Sequence, residues 1–220
     1  MGLVALRCVG ARSVFGYAAT MSLEPTGERL HLSAAAAGGR VGCIEVVCGS
    51  MFSGKTEELL RRVKRARLAR QRTMLFKPRV DNRYDEVKVV THEGLDADAV
   101  PVASAAELLE RVPTDVAVVG IDEVQFFGEG IVAAAESLAN GGIRVIAAGL
   151  DQDYRGQPFG PVPALMAVAE YVTKLFAVCA QCGGQATRSQ RLVASEGQLF
   201  VGGAAAYEAR CRRCFVAGVV

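Results

Sequence analysis

Short continuous apolar runs alternate with amphipathic stretches from residue 41 onward. Cys43 to Cys48 is an apolar, β-branched run that stops at Gly49, which predicts a buried strand. The next segment, Lys55 to about Arg70, places Leu59, Val63 and Ala66 on one helical face. Arg61, Arg65 and Arg72 fall on the opposite side, either as a solvated basic surface or as a stripe for nucleic acid. Thr73 to Phe76 predicts a second strand ending near Pro78, followed by a polar, turn-rich stretch from Arg79 to Glu86. Lys88 to Thr91 and Ala99 to Val102 have the character of further short strands. Ser104 with Glu107 forms a capping box that opens a helix toward Arg111. Val116 to Ile121 is the kind of run found in a central parallel strand, and it delivers Asp122 and Glu123 to its carboxyl end. Ligands collect at that end of such sheets. Ile131 to Ala139 predicts a helix closed by Asn140-Gly141-Gly142, and Arg144 to Leu150 a buried strand leading into Asp151. Strand and helix alternation of this kind predicts an α/β fold with a mainly parallel sheet.

Composition narrows this without changing it. At 220 residues and 51% hydrophobic, the chain has the material for one domain with a small appendage. Its longest apolar stretch, Val162 to Val178, is interrupted by Pro163, Glu170 and Lys174, so no membrane span is expected. The net charge of +2 resides in residues 1–40, where Arg7, Arg12, Arg29 and Arg40 face only Glu24 and Glu28. The remainder is balanced and lacks the basic excess of a nucleic-acid binder. Residues 1–23 contain no acid and intersperse arginine with Ala, Val, Ser and Phe, which is the composition of an organellar transit peptide. The alternatives are a disordered extension or initiation at Met21. Ala34 to Gly39 reads as a linker in each case.

The chemistry begins at Gly49-Ser50-Met51-Phe52-Ser53-Gly54-Lys55-Thr56, a G-x-x-x-x-G-K-[ST] phosphate loop. Its glycines let backbone N–H groups approach phosphate oxygens, its lysine reaches the β- and γ-phosphates, and its hydroxyl holds Mg²⁺. The preceding strand, following helix and downstream acidic strand supply the context this motif requires. Asp122 is the expected carboxylate behind the metal's water, and Glu123 the expected general base toward a hydroxyl or a water. The Asp-Glu pair alone does not separate a kinase from an ATPase.

Cys179, Cys182, Cys211 and Cys214 form two C-x-x-C knuckles, which suit one structural zinc with no open position for catalysis. Four unrelated buried thiols are the plainer alternative. The spacer Gly183 to Arg210 is longer than that of an ordinary zinc ribbon and contains Gln198 to Gly203 and Tyr207, so a metal there would clamp the feet of a glycine-bearing loop. A zinc ribbon for nucleic acid competes with that reading. Cys8 lies in the leader, while Cys43 and Cys48 are expected as buried thiols, a pattern that points to a reducing compartment.

Taken in order, Gly49 to Thr56, Ile121-Asp122-Glu123-Val124-Gln125-Phe126-Phe127, Gly149-Leu150-Asp151 with Pro158-Phe159-Gly160, Val201-Gly202-Gly203 with Tyr207, and the two knuckles closely resemble the thymidine kinases of the human cytosolic and bacterial type. The match spans roughly residues 41–215. It implies a RecA-like α/β kinase domain over 41–176 and a zinc-bearing lasso domain over 177–220, with 1–40 as leader or linker. It also implies Mg-ATP as donor, the 5′-hydroxyl of thymidine as acceptor, no nucleic-acid partner, and a homotetramer. The compartment is cytoplasmic, or mitochondrial or plastid if the leader acts as a transit peptide.

The resemblance assigns residues as well. Gly49 to Thr56, Arg83, Asp122 and Gln125 would serve ATP, with Thr56 and Asp122 also at Mg²⁺ and Glu123 as base. Met51, Phe126, Leu150, Tyr154 and Thr187 would wall the thymine pocket, with Tyr207 beside the base and Phe200, Val201, Gly202 and Gly203 offering backbone hydrogen bonds. By residue type alone, Met51, Phe126 and Leu150 are equally suited to core packing. Two residues depart from the family pattern: Ser50 replaces the usual proline, and Tyr154 replaces the usual phenylalanine. Ser50 lies in a loop that works through its backbone, whereas Tyr154 brings a hydroxyl toward sugar and base and bears on nucleoside preference.

Overall fold

The computed structural model describes residues 41–79, 88–90, 96–193 and 206–218. Its centre is a six-stranded, wholly parallel sheet built from β1 (Cys43–Gly49), β2 (Thr73–Pro78), β5 (Val100–Val102), β6 (Val118–Ile121), β7 (Arg144–Leu150) and β8 (Tyr171–Leu175). The strands run in the order β5-β2-β6-β7-β1-β8. β3 (Lys88–Val90) and β4 (Asp96–Asp98) form a separate antiparallel pair. The apolar runs expected as central strands are fully buried, because both faces of a parallel sheet are covered.

Two apolar layers sandwich the sheet. α1 (Lys55–Leu68) presents Leu59, Val63 and Ala66 to Val47, Leu75, Ile146 and Ala148 on one side. On the other, α2 (Ala105–Arg111), α3 (Gly130–Asn140) and α4 (Val162–Val168) pack Leu108, Ile131, Leu138 and Leu165 around Val46, Phe76, Val119 and Val145. Ser104 caps α2 by accepting from the Glu107 N–H, while the Glu107 carboxylate reaches Ala103 N–H rather than the cap's own. Gly142, at φ 85°, ends α3 as the Asn-Gly-Gly signal requires.

The sheet order positions the chemistry. β7 lies between β1, which ends in the motif loop, and β6, which ends in Asp122 and Glu123. The loop and the two acids therefore come together at the carboxyl ends of the strands, where ligands collect in such sheets.

One sequence expectation shifts. α1 ends before Arg70, and Arg72 lies beyond it, paired with Asp115 at the entrance to β2 rather than on the helix. Arg61 and Arg65 are exposed, whereas Arg62 is buried. The stretch after Val162 divides into α4 and the edge strand β8, because Pro163 suits the first helical turn and Ala169 leaves the helix in extended backbone. Among the described residues, no helix is long and apolar enough to cross a membrane.

Beyond β8 the chain forms two small antiparallel ribbons, β9 (Ala177–Val178) with β10 (Gln185–Ala186) and β11 (Arg188–Arg191) with β12 (Tyr207–Arg210). They enclose a minor core of Ala177, Cys179, Ala186 and Ala209.

Candidate active site and metal centre

β1 runs into the motif loop through Gly49 at φ 148°, where a Cβ would lie 2.5 Å from the Leu175 carbonyl oxygen. Phe52 at φ 63° and Gly54 at φ 82° then turn the chain into α1, and the Phe52 conformation is uncommon for a bulky residue. Lys55 is buried and its Nζ donates to the Ser50 carbonyl at 2.8 Å, so the ammonium curls back over its own loop. Burial draws the Lys55 pKa down, against the pull of Glu123, Asp122 and Asp151. Among the loop residues, Ser53 Oγ is buried without a hydrogen-bond partner.

Thr56, at the start of α1, faces the end of β6: its hydroxyl lies 3.2 and 3.4 Å from the two Asp122 carboxylate oxygens. Asp122 is buried, and burial together with the neighbouring Glu123 charge pushes its carboxyl up to about 7. A hydroxyl and a buried carboxylate side by side offer oxygen donors of the kind that a hard divalent cation takes.

Glu123 takes a left-handed backbone, φ 51° and ψ 40°. That turn separates its carboxylate from the Asp122 side chain, whose Oδ1 accepts the Glu123 N–H at 3.0 Å. Gln125, expected among the ATP residues, is buried in the single 3₁₀ turn Val124–Phe126. Its Oε1 accepts the Leu150 N–H at 3.0 Å and its Nε2 donates to Glu123 Oε2. Gly149 makes this approach feasible, since a Cβ there would lie 2.6 Å from Gln125 Oε1.

The expected pocket residues gather from several elements. Phe126 stands edge-on to Phe159, with ring centroids 5.8 Å apart. Leu150 ends β7 beside Gln125. Met51 donates its N–H to Ser189 Oγ at 3.0 Å, and Ser50 Oγ reaches the Ala186 carbonyl at 3.4 Å, so the motif loop is tied to the cysteine-bearing ribbons. The Tyr154 ring lies under the Arg191 guanidinium, 3.6 Å from its carbon, and the Tyr154 hydroxyl accepts from exposed Arg155 at 2.8 Å. Tyr207 is buried opposite Arg191 on the neighbouring strand. Thr187 enters β11 with its N–H on the Arg210 carbonyl, whereas Ser189, two residues on, touches the loop. Arg83 and Phe200 to Gly203 lie outside the described residues. Ser189 and Arg191 escaped sequence reasoning because Arg188-Ser189-Gln190-Arg191 has no apolar pattern to mark a strand.

The four late cysteines converge. Their sulfurs lie within 4.8 Å of one another, and none forms a disulfide. Cys179 sits in a tight knuckle closed by Gly183 at φ 71°, and the second knuckle is closed by the Cys214 and Phe215 N–H groups on the Cys211 carbonyl. Backbone N–H groups, chiefly that of Cys211, draw the Cys179 thiol down to about 6. Four sulfur donors arranged this way can hold a metal ion.

Comparison with known proteins places the chain by similarity. Residues 42–215 match the family model described as thymidine kinase. A thymidine kinase from Rhodothermus sp. (strain ITI 518) is 57% identical over 178 residues, covering 81% of this chain and 83% of that protein.

Proposed function

This chain belongs to the thymidine kinase family, and on that premise we propose that it transfers the γ-phosphoryl group of ATP to the 5′-hydroxyl of thymidine with Glu123 as the base. The observation that carries the residue-level reading is the division of labour between adjacent carboxylates. Asp122 faces Thr56, while the left-handed backbone of Glu123 turns the second carboxylate toward Gln125.

Phosphoryl transfer asks the protein chiefly to align the reacting oxygens and offset developing charge. The phosphate loop wraps the donor phosphates with its N–H groups, and Lys55 exchanges the Ser50 carbonyl for a phosphate oxygen. Thr56 and Asp122 are the residues that would hold Mg²⁺, which when bound neutralises the β- and γ-phosphate oxygens. Glu123 accepts the proton of the acceptor hydroxyl. Arg83 is assigned to the phosphate side by family resemblance. Met51, Phe126, Leu150, Tyr154, Thr187 and Tyr207 are proposed to wall the base, and Phe200 to Gly203 to pair with its polar edge through the backbone. A base unable to make those pairs would strand buried amides at about 1–3 kcal/mol each.

The all-sulfur donor set fits zinc best among biological divalent ions, and we assign it a structural role because no ligand position is left open. It would fasten the feet of the loop between Arg191 and Tyr207. The division into a kinase domain over 41–176 and a lasso domain over 177–220, and the homotetramer, are carried over as parts of the same proposal.

Incubation with Mg-ATP and a panel of nucleosides tests the reading. Thymidine is expected to yield its 5′-monophosphate, with cytidine and purine nucleosides untouched. Release of phosphate from ATP with no nucleoside product would overturn it.

A further inference from the structure

Arg191 is among the largest fully buried side chains described in the molecule, and the mechanism above gives it no task. It lies on β11 directly across from Tyr207 on β12. Alternation along β11 puts it on the same face as Ser189, which holds the Met51 N–H of the phosphate loop. Its Nε and Nη2 both donate to the Tyr207 hydroxyl, at 3.2 and 3.0 Å. Its guanidinium carbon also stands 3.6 Å from the centroid of the Tyr154 ring. One buried cation therefore covers the face of one aromatic ring and fixes the hydroxyl of another.

These rings come from unrelated parts of the chain. Tyr154 follows β7 in the sheet domain, and Tyr207 begins β12 beside the metal centre. We infer that Arg191 is a positioning residue that sets the separation and tilt of Tyr154 and Tyr207, and thereby the slot that accepts the planar base of the nucleoside. The inference rests on the reading that these two tyrosines wall the acceptor pocket.

The chemistry favours arginine specifically. A planar guanidinium can stack on one ring while its edge donates twice to a second group, and a lysine ammonium, being a point charge, cannot do both. Arg191 acts on the nucleoside side through the rings, so its loss is expected to appear in acceptor binding rather than in chemistry at the phosphate.

The test uses Arg191→Met, Arg191→Lys, Tyr207→Phe and Tyr207→Ala in the full chain. Each is assayed for kcat, for KM of thymidine and of ATP, and for bound metal. Arg191→Met and Tyr207→Phe are expected to raise the thymidine KM about tenfold while the ATP KM stays within about twofold. Arg191→Lys should follow Arg191→Met, and metal content should hold. An ATP KM that rises in parallel would mark a general structural role and overturn the inference. A thymidine KM raised by Tyr207→Ala but not by Arg191→Met or Tyr207→Phe would overturn the clamp while leaving the pocket reading intact. A thymidine KM unchanged in Tyr207→Ala would remove the pocket reading itself. If Arg191→Met does not fold, Tyr207→Phe decides, because it deletes only the oxygen that Arg191 holds.

Discussion

Gln125 holds Glu123 from behind: one end of its carboxamide accepts the Leu150 N–H, and the other donates to the Glu123 carboxylate. The Leu150 N–H fixes which end is which, because only the carboxamide oxygen can accept it. The donor end must then face Glu123. Glu123, on a left-handed, non-glycine backbone, is thus tied at its side chain to the strand between the phosphate loop and the acids.

Replacing Gln125 by Leu keeps bulk but removes both bonds. We expect kcat to fall about tenfold to hundredfold, with the KM of ATP and thymidine changed by less than about threefold, since a misplaced base affects the transition state more than the ground state. Steady-state kinetics checks this. Equal losses in every parameter would instead make Gln125 a packing residue.

Glu123→Gln tests the base directly. The amide retains shape and can still meet Gln125, but it cannot take a proton. Turnover should drop by about 10²–10⁴ while equilibrium binding of ATP and thymidine persists. Near-normal turnover would remove Glu123 from that role.

Most of the sheet was legible because both-face burial writes a strand as an apolar run such as Val118 to Ile121, and the motif loop announces itself by glycine and lysine spacing. What escaped reading was polar and long-range. Glu45 interrupts the apolar β1 run yet is buried, since its partners Arg62 and Arg144 are far away in sequence. Arg191 and Ser189 lie on a strand with no apolar alternation, held by contacts with Tyr207, Tyr154 and Met51 that no local pattern encodes. Tyr154 was legible as a departure from its family, but the direction of its hydroxyl, toward Arg155, depended on the turn that follows β7.

The metal centre is expected to act through the ribbon that carries Ser189 and Arg191. Cys211→Ser should lower bound zinc to background and raise the thymidine KM by about tenfold or more, because removing one ligand loosens both strands that leave the knuckles. Metal analysis paired with thymidine titration checks this. Unchanged thymidine affinity with zinc absent would contradict the role.

The Glu45 cluster predicts a specific acid response. Burial alone would raise the Glu45 pKa, but hydrogen bonds and charges from Arg144 and Arg62 outweigh it and hold the carboxyl below its ordinary range. Arg62 also reaches Glu58 and Thr173, so the cluster fastens α1, which begins at the phosphate loop, to β1, β7 and β8. A carboxylate depressed in the folded state contributes stability that is complete above its unfolded pKa, about 4.3, and is lost as pH falls through the lower folded value. Glu45→Gln removes that charge at every pH and leaves two guanidiniums under-compensated, at a cost of about 3 kcal/mol near neutrality. Denaturant unfolding of both proteins should therefore show a wide gap from pH 7 down to about 5 that narrows below about pH 4.3, as the natural chain loses what the variant already lacks. A gap that stays constant or widens toward acid would mean that the arginines are satisfied without the Glu45 charge.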